Sequence, residues 1–575
     1  MAEPLRIGNC SGFYGDRLTA MREMLEGGPL DVLTGDYLAE LTMLILGRDQ
    51  LRDPSLGYAR TFLAQLQDCL ALALEKGVRI VANAGGLNPA SLAARIAESA
   101  SAAGLSPQVA WVDGDNLAPR AAELGLGDAL TANAYLGGFG IAAALEAGAD
   151  IVVTGRVTDA SLVVGPAAWR FGWSPTSYDE LAGAVVAGHV IECGTQATGG
   201  NFSGFLRMQR DATPLGFPIA EVSPDGSSVI TKHHGTGGIV SVDTVTAQLL
   251  YEVQSTHYLG PDVTTDLSSI RLTTEGADRV RVSGVRGSAP PEHLKVCVNE
   301  LGGHRNQLEL VLTGLDIEEK ADWVRTQLEA RLAAAAPASL EWSVGRLPAP
   351  DAPTEEAASC LLRVTAKDPD PEKVGKAFSA AVVELALASY PGFTLTAPPG
   401  RGSPYGIYRA SYVDRGAVTE RLHLVGSDEA VEIAQPTELA RVAEPVPAPA
   451  DSTSLVHDAP KVSMPLGTFV HARSGDKGGD ANVGLWVGSE APEKRNVRVT
   501  WLLRIVTPDQ VRQWLPEAAD LDVEVHPLPN LGGVNVLIRG LLGDGVAAST
   551  RFDPQAKAVG EWLRARHVHI PQELL

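Results

Sequence analysis

The sequence predicts a two-part α/β protein: a mostly parallel, doubly wound N-terminal sheet carrying an α+β subdomain, then a small C-terminal α+β domain. Three observations lead there. Over the first 200 residues short apolar runs alternate with longer stretches of helical period, the signature of βαβ units. After about residue 200 the pattern shifts to β-rich segments broken by single helices. A proline-rich stretch, EPVPAPADSTSLVHDAPKVSMP, then has no hydrophobic period and separates the last 110 or so residues. The boundaries follow as 1–443, with subdomains of about 1–205 and 206–443, a linker at 444–465, and a last domain at 466–575.

Five N-terminal strands are expected, at Leu5–Ile7, Asp31–Leu33, Arg79–Ala82, Val109–Val112 and Ile151–Thr154. Helices are expected at Tyr58–Glu75, Ser91–Ala103 and Ile141–Ala147, where apolar residues recur at three and four positions. The uncharged run Ala129–Leu145 holds Asn133, Gly137, Gly138 and Gly140 and is too short for a membrane span, so it reads as a loop followed by a buried helix. Further on, Ser228–Thr231, Gly238–Val242, Arg279–Val285 and Val296–Val298 read as β, and Ile317–Ala335 and Glu372–Ser389 as helices. Prolines 348, 350 and 353 mark a loop. In the last domain Thr468–Val470, Asn482–Val487, Val497–Leu502, Val523–Pro527 and Val534–Leu541 read as strands, and Thr507–Leu515 and Pro554–Ala565 as helices on one side of an antiparallel sheet.

Composition narrows the function. A net charge of -22 argues against nucleic acid or an anionic membrane as partner, since both recruit Lys and Arg. The 5 cysteines are scattered, odd in number and never in a Cys-x-x-Cys pair, which disfavours a disulfide framework or structural zinc. With no signal-peptide plan in MAEPLRIGNC, a cytoplasmic location is expected, and base rates favour a homo-oligomer.

In an open α/β sheet, ligands bind outside the carboxyl ends of the strands. The five strand ends here are polar and glycine-rich: GNCSGFYG, TGDY, NAGGLNP, DGDN and TGRVTD. Such turns let backbone N–H groups approach a ligand, although tight turns alone would look the same. They supply Asn9, Ser11, Gly12, Asp36, Asn83, Gly85, Gly86, Asp113, Asp115, Arg156 and Asp159 as a candidate pocket. The aspartates either hold a divalent metal, share acid–base roles or cap the next helix.

A second cluster, AGHVIECGTQATGG, places His189 and Glu192 three apart on a helix, as a proton relay, a metal pair or a satisfied buried pair. Cys193 is a nucleophile or a small hydrophobe, and Gly199 and Gly200 follow. In TKHHGTGG, Lys232 and Gly237 suit an anion cradle or a hairpin turn. In HARSGDKGGDAN, read as a glycine loop, Arg473, Asp476 and Lys477 either reach the pocket or pair at the surface.

These stretches, with LTGDYLAELTM, ANAYLGGFGIAAALEAGADIVVTGRVTDAS, FPIAEV and AQLLYEV, resemble the acyclic terpene utilisation protein family, AtuA. HARSGDKGGDANVGL resembles that family's ferredoxin-fold domain. The resemblance implies catabolism of branched acyl chains as coenzyme A thioesters, in particular acetate release from a 3-hydroxy-3-alkylglutaryl-CoA. The reading is then a lyase, with Asp36 or His189 as base and Arg156, or a metal on Asp113, Asp115 and Glu192, as electrophile. A hydratase of the same route, or an acyl-CoA-binding subunit of an acyl-CoA carboxylase assembly, are the alternatives. A nicotinamide dehydrogenase is disfavoured because no strand is followed by Gly-x-Gly-x-x-Gly.

Overall fold

Apolar residues at alternate positions decide how the N-terminal strands lie. In the computed structural model, which describes residues 3–345, 347–440 and 460–575, Leu5, Ile7, Val32, Val81, Ala110, Val112 and Val152 join one core cluster. Leu33, Ile80, Ala82, Val109, Ile151 and Val153 join another. Both faces of the sheet are therefore buried, as expected of parallel strands.

The strands are β1 (Leu5–Asn9), β2 (Val32–Gly35), β3 (Arg79–Ala82), β4 (Val109–Asp113), β5 (Thr131–Ala134) and β6 (Ile151–Thr154). All but β5 pair in parallel, in the order β1-β2-β3-β6-β4. The sheet does not stop there. Among the described residues it has 11 strands, because antiparallel strands extend it beyond β1, through Pro218–Val222 and Ser228–Lys232, and beyond β4, through Arg421–Leu424. The observed sheet is thus mixed, with a parallel centre.

Helices α1 (Ala20–Gly27), α2 (Glu40–Arg52), α3 (Arg60–Lys76), α4 (Pro89–Ala102), α5 (Phe139–Glu146), α6 (Ser161–Phe171), α7 (Tyr178–Ile191) and α8 (Val242–Leu249) follow in chain order. Asn88 caps α4 by accepting from the Ser91 N–H at 3.3 Å. Helix α7 carries Leu181 to Ile191 entirely buried.

Two expectations fail here. The segment Gly238–Val242 is not a strand, because Ser241 and Thr244 form a capping box that starts α8. The loop expected before Ile141 contains β5, which pairs antiparallel with Val296–Asn299.

The chain divides into two compact units, one of residues 1–299, 408–546 and 553–575 and the other of 300–407 and 547–552. In the second, residues 304–313 pair with 359–368, and 339–344 with 363–367 and 362. The sheet is covered by Ile317–Leu332 and Lys376–Val383, and the prolines at 348, 350 and 353 lie in a connection between strands.

Within the first unit, residues 460–546 and 553–575 carry a four-stranded antiparallel sheet in the order Val470–Lys477, Asp480–Val487, Gly533–Ile538, Val523–Leu528. Period 2 divides its faces. Ala481, Val483, Leu485 and Val487 pack on the helices Pro492–Ile505, Pro508–Trp514 and Val559–Ala565. Asn482 and Gly484 turn the other way, onto residues 250–253. A Cβ at Gly484 would stand 2.4 Å from Leu250 Cβ, so this close approach requires glycine.

The segment Val497–Leu502, expected as a strand, is helical. Its buried residues Arg498, Val499, Trp501 and Leu502 fall at i, i+1, i+3 and i+4 on one helical face, and Pro492 opens the helix in its first turn. HARSGDKGGDAN is a hairpin rather than a glycine loop: Arg473 and Asp476 lie on its first strand, and Lys477 pairs with Asp480 across the turn. Most of the expected linker at 444–465 lies outside the described residues. No helix among the described residues is long and apolar enough to cross a membrane.

Candidate active site

The polar strand ends are tied to one another by side-chain hydrogen bonds. At the end of β1, Asn9 donates from Nδ2 to the carbonyls of Ile191 (2.7 Å) and Glu192 (3.0 Å) and accepts the Ser11 N–H (2.6 Å). After β3, Asn83 Nδ2 donates to Asp36 Oδ1 at 2.6 Å, and its own Oδ1 accepts the Tyr37 N–H at 2.8 Å. After β4, Asp115 accepts from Asn133 Nδ2 (2.7 Å) and from the Arg156 N–H (2.8 Å). After β6, Arg156 Nη1 donates to the Leu38 carbonyl (2.6 Å) and to Asp159 Oδ1 (2.7 Å), its guanidinium 4.4 Å from the Tyr135 ring centre. Asn83, Asp36, Arg156 and Asp115 therefore share one rim.

That rim borders a cavity of about 1470 Å³ in the first unit, whose lining includes Gly12, Asp36, Tyr135, Arg156, Asp159, Glu192, Gly200, Glu252, Tyr258, Lys295, Asp476 and Lys477. Other expected residues serve behind it. Asn9 fixes the end of α7 from which Glu192 projects, Ser11 Oγ donates to the Phe13 carbonyl (3.0 Å), and Asn83 and Asp115 orient Asp36 and Arg156.

Several expectations do not meet the cavity. Asp113 lies 3.1 Å from His423, whose ring stacks on Trp111. Lys232 is held by the Thr236 carbonyl (2.8 Å) and Asp278 (3.2 Å), so with Gly237, bridged to Leu215, it forms a turn rather than part of this pocket. Gly85 packs on the Thr154 carbonyl, Gly86 on Leu46 and Gly199 on Met208. The carboxylates suggested for a metal do not converge, since Asp113, Asp115 and Glu192 each have separate partners. Among the described residues only Asp243, His471 and Glu490 have metal-like spacing. There Arg207 Nη2 already sits 3.2 Å from Asp243 and 3.1 Å from Glu490.

The protonation states follow from burial and contacts. His189 Nε2 is 3.0 Å from the Tyr251 carbonyl, which can only accept, so this nitrogen carries a hydrogen. His189 Nδ1 lies 3.0 Å from Glu192 Oε1, so one proton is held between them. Burial pushes Glu192 up to about 7, against the pull of His189. Burial acts to lower His189, but the charge and the hydrogen bond of Glu192 together outweigh it and raise the imidazole above its usual value. The other carboxylate oxygen, Glu192 Oε2, is buried without a hydrogen-bond partner among the described residues. Asp36 is raised well above the carboxylate range by burial, reinforced by Asp159 and opposed by Arg156 and Asn83. It is a neutral acid whose Oδ1 accepts from Asn83 and from the Leu38 N–H at 3.1 Å.

Residues with no assigned role in the sequence complete the wall. Glu252 lies in the left-handed region at φ 58°. Its N–H donates to Asn482 Oδ1 (2.7 Å), and the next carbonyl, of Val253, accepts from Asn482 (3.2 Å) and Asn535 (2.9 Å). Lys477 Nζ lies 3.9 Å from Glu252. Lys557 donates to the Tyr251 hydroxyl and lies 3.7 Å from Asp476, which burial pushes up to about 7. Arg473 spans to Gln196 and the Asn201 carbonyl, so the last domain helps build the cavity. Burial pushes the Cys193 thiol well up, which leaves it a poor nucleophile.

A mixed α/β sheet whose strand ends border a large cavity with a proton-sharing pair, buried acids and lysines has the make-up of a candidate small-molecule site. The chain belongs to the acyclic terpene utilisation family protein AtuA, which it matches over residues 5–424, and it matches the AtuA ferredoxin-like domain over residues 464–569. Membership points to a role in terpene catabolism. No curated protein matches the chain.

Proposed function

We propose that the cavity cleaves a carbon–carbon bond in a branched 3-hydroxy-3-alkylglutaryl thioester of coenzyme A. The observation that carries this reading is the pairing, on one cavity, of a proton acceptor near neutrality with an acid held neutral by burial. The Glu192–His189 pair takes the proton of the 3-hydroxyl, and the oxygen forms a carbonyl as the bond to the carboxymethyl carbon breaks. The electron pair leaves on that carbon, stabilised through its carboxylate, and Asp36 returns a proton to give acetate and a 3-oxoacyl thioester. Phe13, Leu41, Ile45 and Leu259 expose apolar surface on the same lining, which suits a branched alkyl chain.

The test is to incubate the pure protein with a panel of CoA esters, with and without chelator, and follow products by mass spectrometry. Acetate released in step with 3-oxoacyl-CoA supports the lyase; water addition without cleavage would instead identify a hydratase. Tight binding without turnover of any ester would favour a non-catalytic acyl-CoA-binding subunit.

A further inference from the structure

Arg156, the electrophile expected from the sequence, is 3% exposed, and its Nη1 is spent on the Leu38 carbonyl and Asp159. The cavity presents two donors that are not spent. Lys477 lines it with 19% of its side chain exposed. Its nearest acid, Glu252, stands 3.9 Å away, beyond hydrogen-bond distance, so the three ammonium hydrogens have no acceptor among the described residues. Tyr258 lines the cavity too, half-buried, and no described residue pairs with its hydroxyl. Neither donor is sealed off, since the unpaired polar atoms that lack accessible surface are on other residues.

Both stand beside the acid–base pair. The Tyr258 ring centre is 5.1 Å from that of His189. Glu252, the counter-ion of Lys477, directly follows Tyr251, whose carbonyl accepts from His189 Nε2. Burial acts to lower Lys477, but Glu252, Glu40, Asp159 and Glu192 outweigh it, so the ammonium stays charged. Burial pushes Tyr258 well up, with Glu192, Asp159 and Glu252 adding to it, so the hydroxyl keeps its hydrogen. The last domain brings Lys477 here, at the end of a hairpin strand where it pairs with Asp480. The next residue, Gly478, has φ 67°, and a Cβ on it would stand 2.6 Å from the Tyr408 ring, so the tip is seated where only glycine fits. Glu252 meets Lys477 from a backbone conformation of the kind that gathers at functional sites.

We infer that the Lys477 ammonium and the Tyr258 hydroxyl are the electrophilic pair of the cavity, hydrogen-bonding the ligand's free carboxylate beside Glu192 and taking up the negative charge that develops on it. The pair deepens the lyase reading, on which it rests for the reaction it serves. When the bond between C3 and the carboxymethyl carbon breaks, its electron pair moves into that group, and the carboxylate becomes an ene-diolate with a second negative charge. The ammonium and the hydroxyl meet that charge with hydrogen bonds and lose no proton. The proton from Asp36 then goes to carbon and returns the group to the single charge of acetate. Donors already in place where charge develops act on the transition state more than on the bound ester.

The experiment uses the full chain with 3-hydroxy-3-methylglutaryl-CoA, the simplest ester of the class, and the variants Lys477→Met, Lys477→Arg, Tyr258→Phe and Glu252→Gln, each first checked for folding by circular dichroism. Lys477→Met is expected to lose about 10²- to 10³-fold in kcat, as loss of one oxyanion donor does, with a smaller change in KM, and Lys477→Arg to restore part of it. Tyr258→Phe is expected to lose about tenfold, the worth of a hydrogen bond to a charged group. Glu252→Gln removes the counter-ion but not the donor and is expected to lose less than Lys477→Met. An unchanged kcat in Lys477→Met or Tyr258→Phe, or a loss in Glu252→Gln as large as in Lys477→Met, overturns the pair and leaves the lyase reading intact. If the wild type does not cleave the ester, that reading fails, and the pair is judged by calorimetric titration with glutarate and glutaramide. Glutarate bound by the wild type and Lys477→Arg but not by Lys477→Met, with glutaramide bound by none, upholds it, and any other pattern overturns it.

Discussion

The main-chain N–H of Glu252 donates at 2.7 Å to the side-chain oxygen of Asn482, a residue of the last domain's sheet with no exposed surface. This bond holds Glu252 in a conformation that non-glycine residues seldom adopt. One residue earlier, the Tyr251 carbonyl accepts from His189 Nε2. The last domain thus acts on the acid–base pair through one peptide group, whose N–H is held by Asn482 and whose carbonyl accepts from His189. Asn482→Ala is expected to lower turnover by about tenfold, as misplacement of a positioned group does, and to shift the pH–rate profile because His189 loses its fixed acceptor. Asn535→Ala removes only one bond to the Val253 carbonyl and is expected to have a smaller effect on both. Identical steady-state kinetics and pH profile in Asn482→Ala would show that the contact is structural only.

Glu192→Gln removes the group that takes the proton. Because the pair must be free to accept, the wild-type rate rises as pH rises through about 7, where Glu192 is held. The variant is expected to lose about 10²- to 10⁴-fold in kcat, the usual worth of a positioned general base, and to lose the limb near pH 7. A variant that retains the limb would place the base elsewhere.

Asp36→Asn tests the opposite partner. Since burial keeps Asp36 neutral, the amide replaces it without removing a charge, and its oxygen can still accept from Asn83 and Leu38. Melting temperature and ligand affinity are therefore expected to stay near wild type while turnover falls. A large loss of stability would mean that Asp36 is ionised in the fold.

The strand ends were legible because a parallel centre announces itself through short apolar runs closed by polar turns: Ile151–Thr154 has the bounds expected of it, and Asp36, Asn83 and Arg156 do converge. What local pattern could not show was which turns face inward. Lys232 and Gly237 have the composition of a cradle, yet the strand before them lies away from the parallel centre, beyond an antiparallel neighbour. Lys295 was invisible for the converse reason, since it stands in an ordinary β segment and reaches the cavity only through the pairing of its strand with β5. Glu252 owes its place to a backbone conformation that Asn482 imposes from 230 positions away. Val497–Leu502 misled because alternating β-branched residues in a short run fit a strand and a helix alike.

Burial of acids sets a pH dependence of stability outside the cavity's chemistry. Glu420 is buried with its Oε1 unpaired among the described residues, and burial, with Asp262 adding to it and the Gly140 N–H opposing it, pushes its carboxyl up to about 8. In the unfolded chain it titrates near 4.5. Between those two values the folded chain holds a proton that the unfolded chain has released, so stability falls as pH rises through this window. Asp262, raised to about 6 by burial, acts in the same direction at the lower end. Glu420→Gln keeps the shape and cannot ionise, so its melting temperature is expected to match the wild type near pH 5 and to exceed it increasingly towards pH 8, by several degrees for a gain of a few kcal/mol. Thermal melts of both proteins across pH 5 to 9 decide this: parallel curves would mean that Glu420 is ionised in the folded chain, held by a contact that offsets its burial.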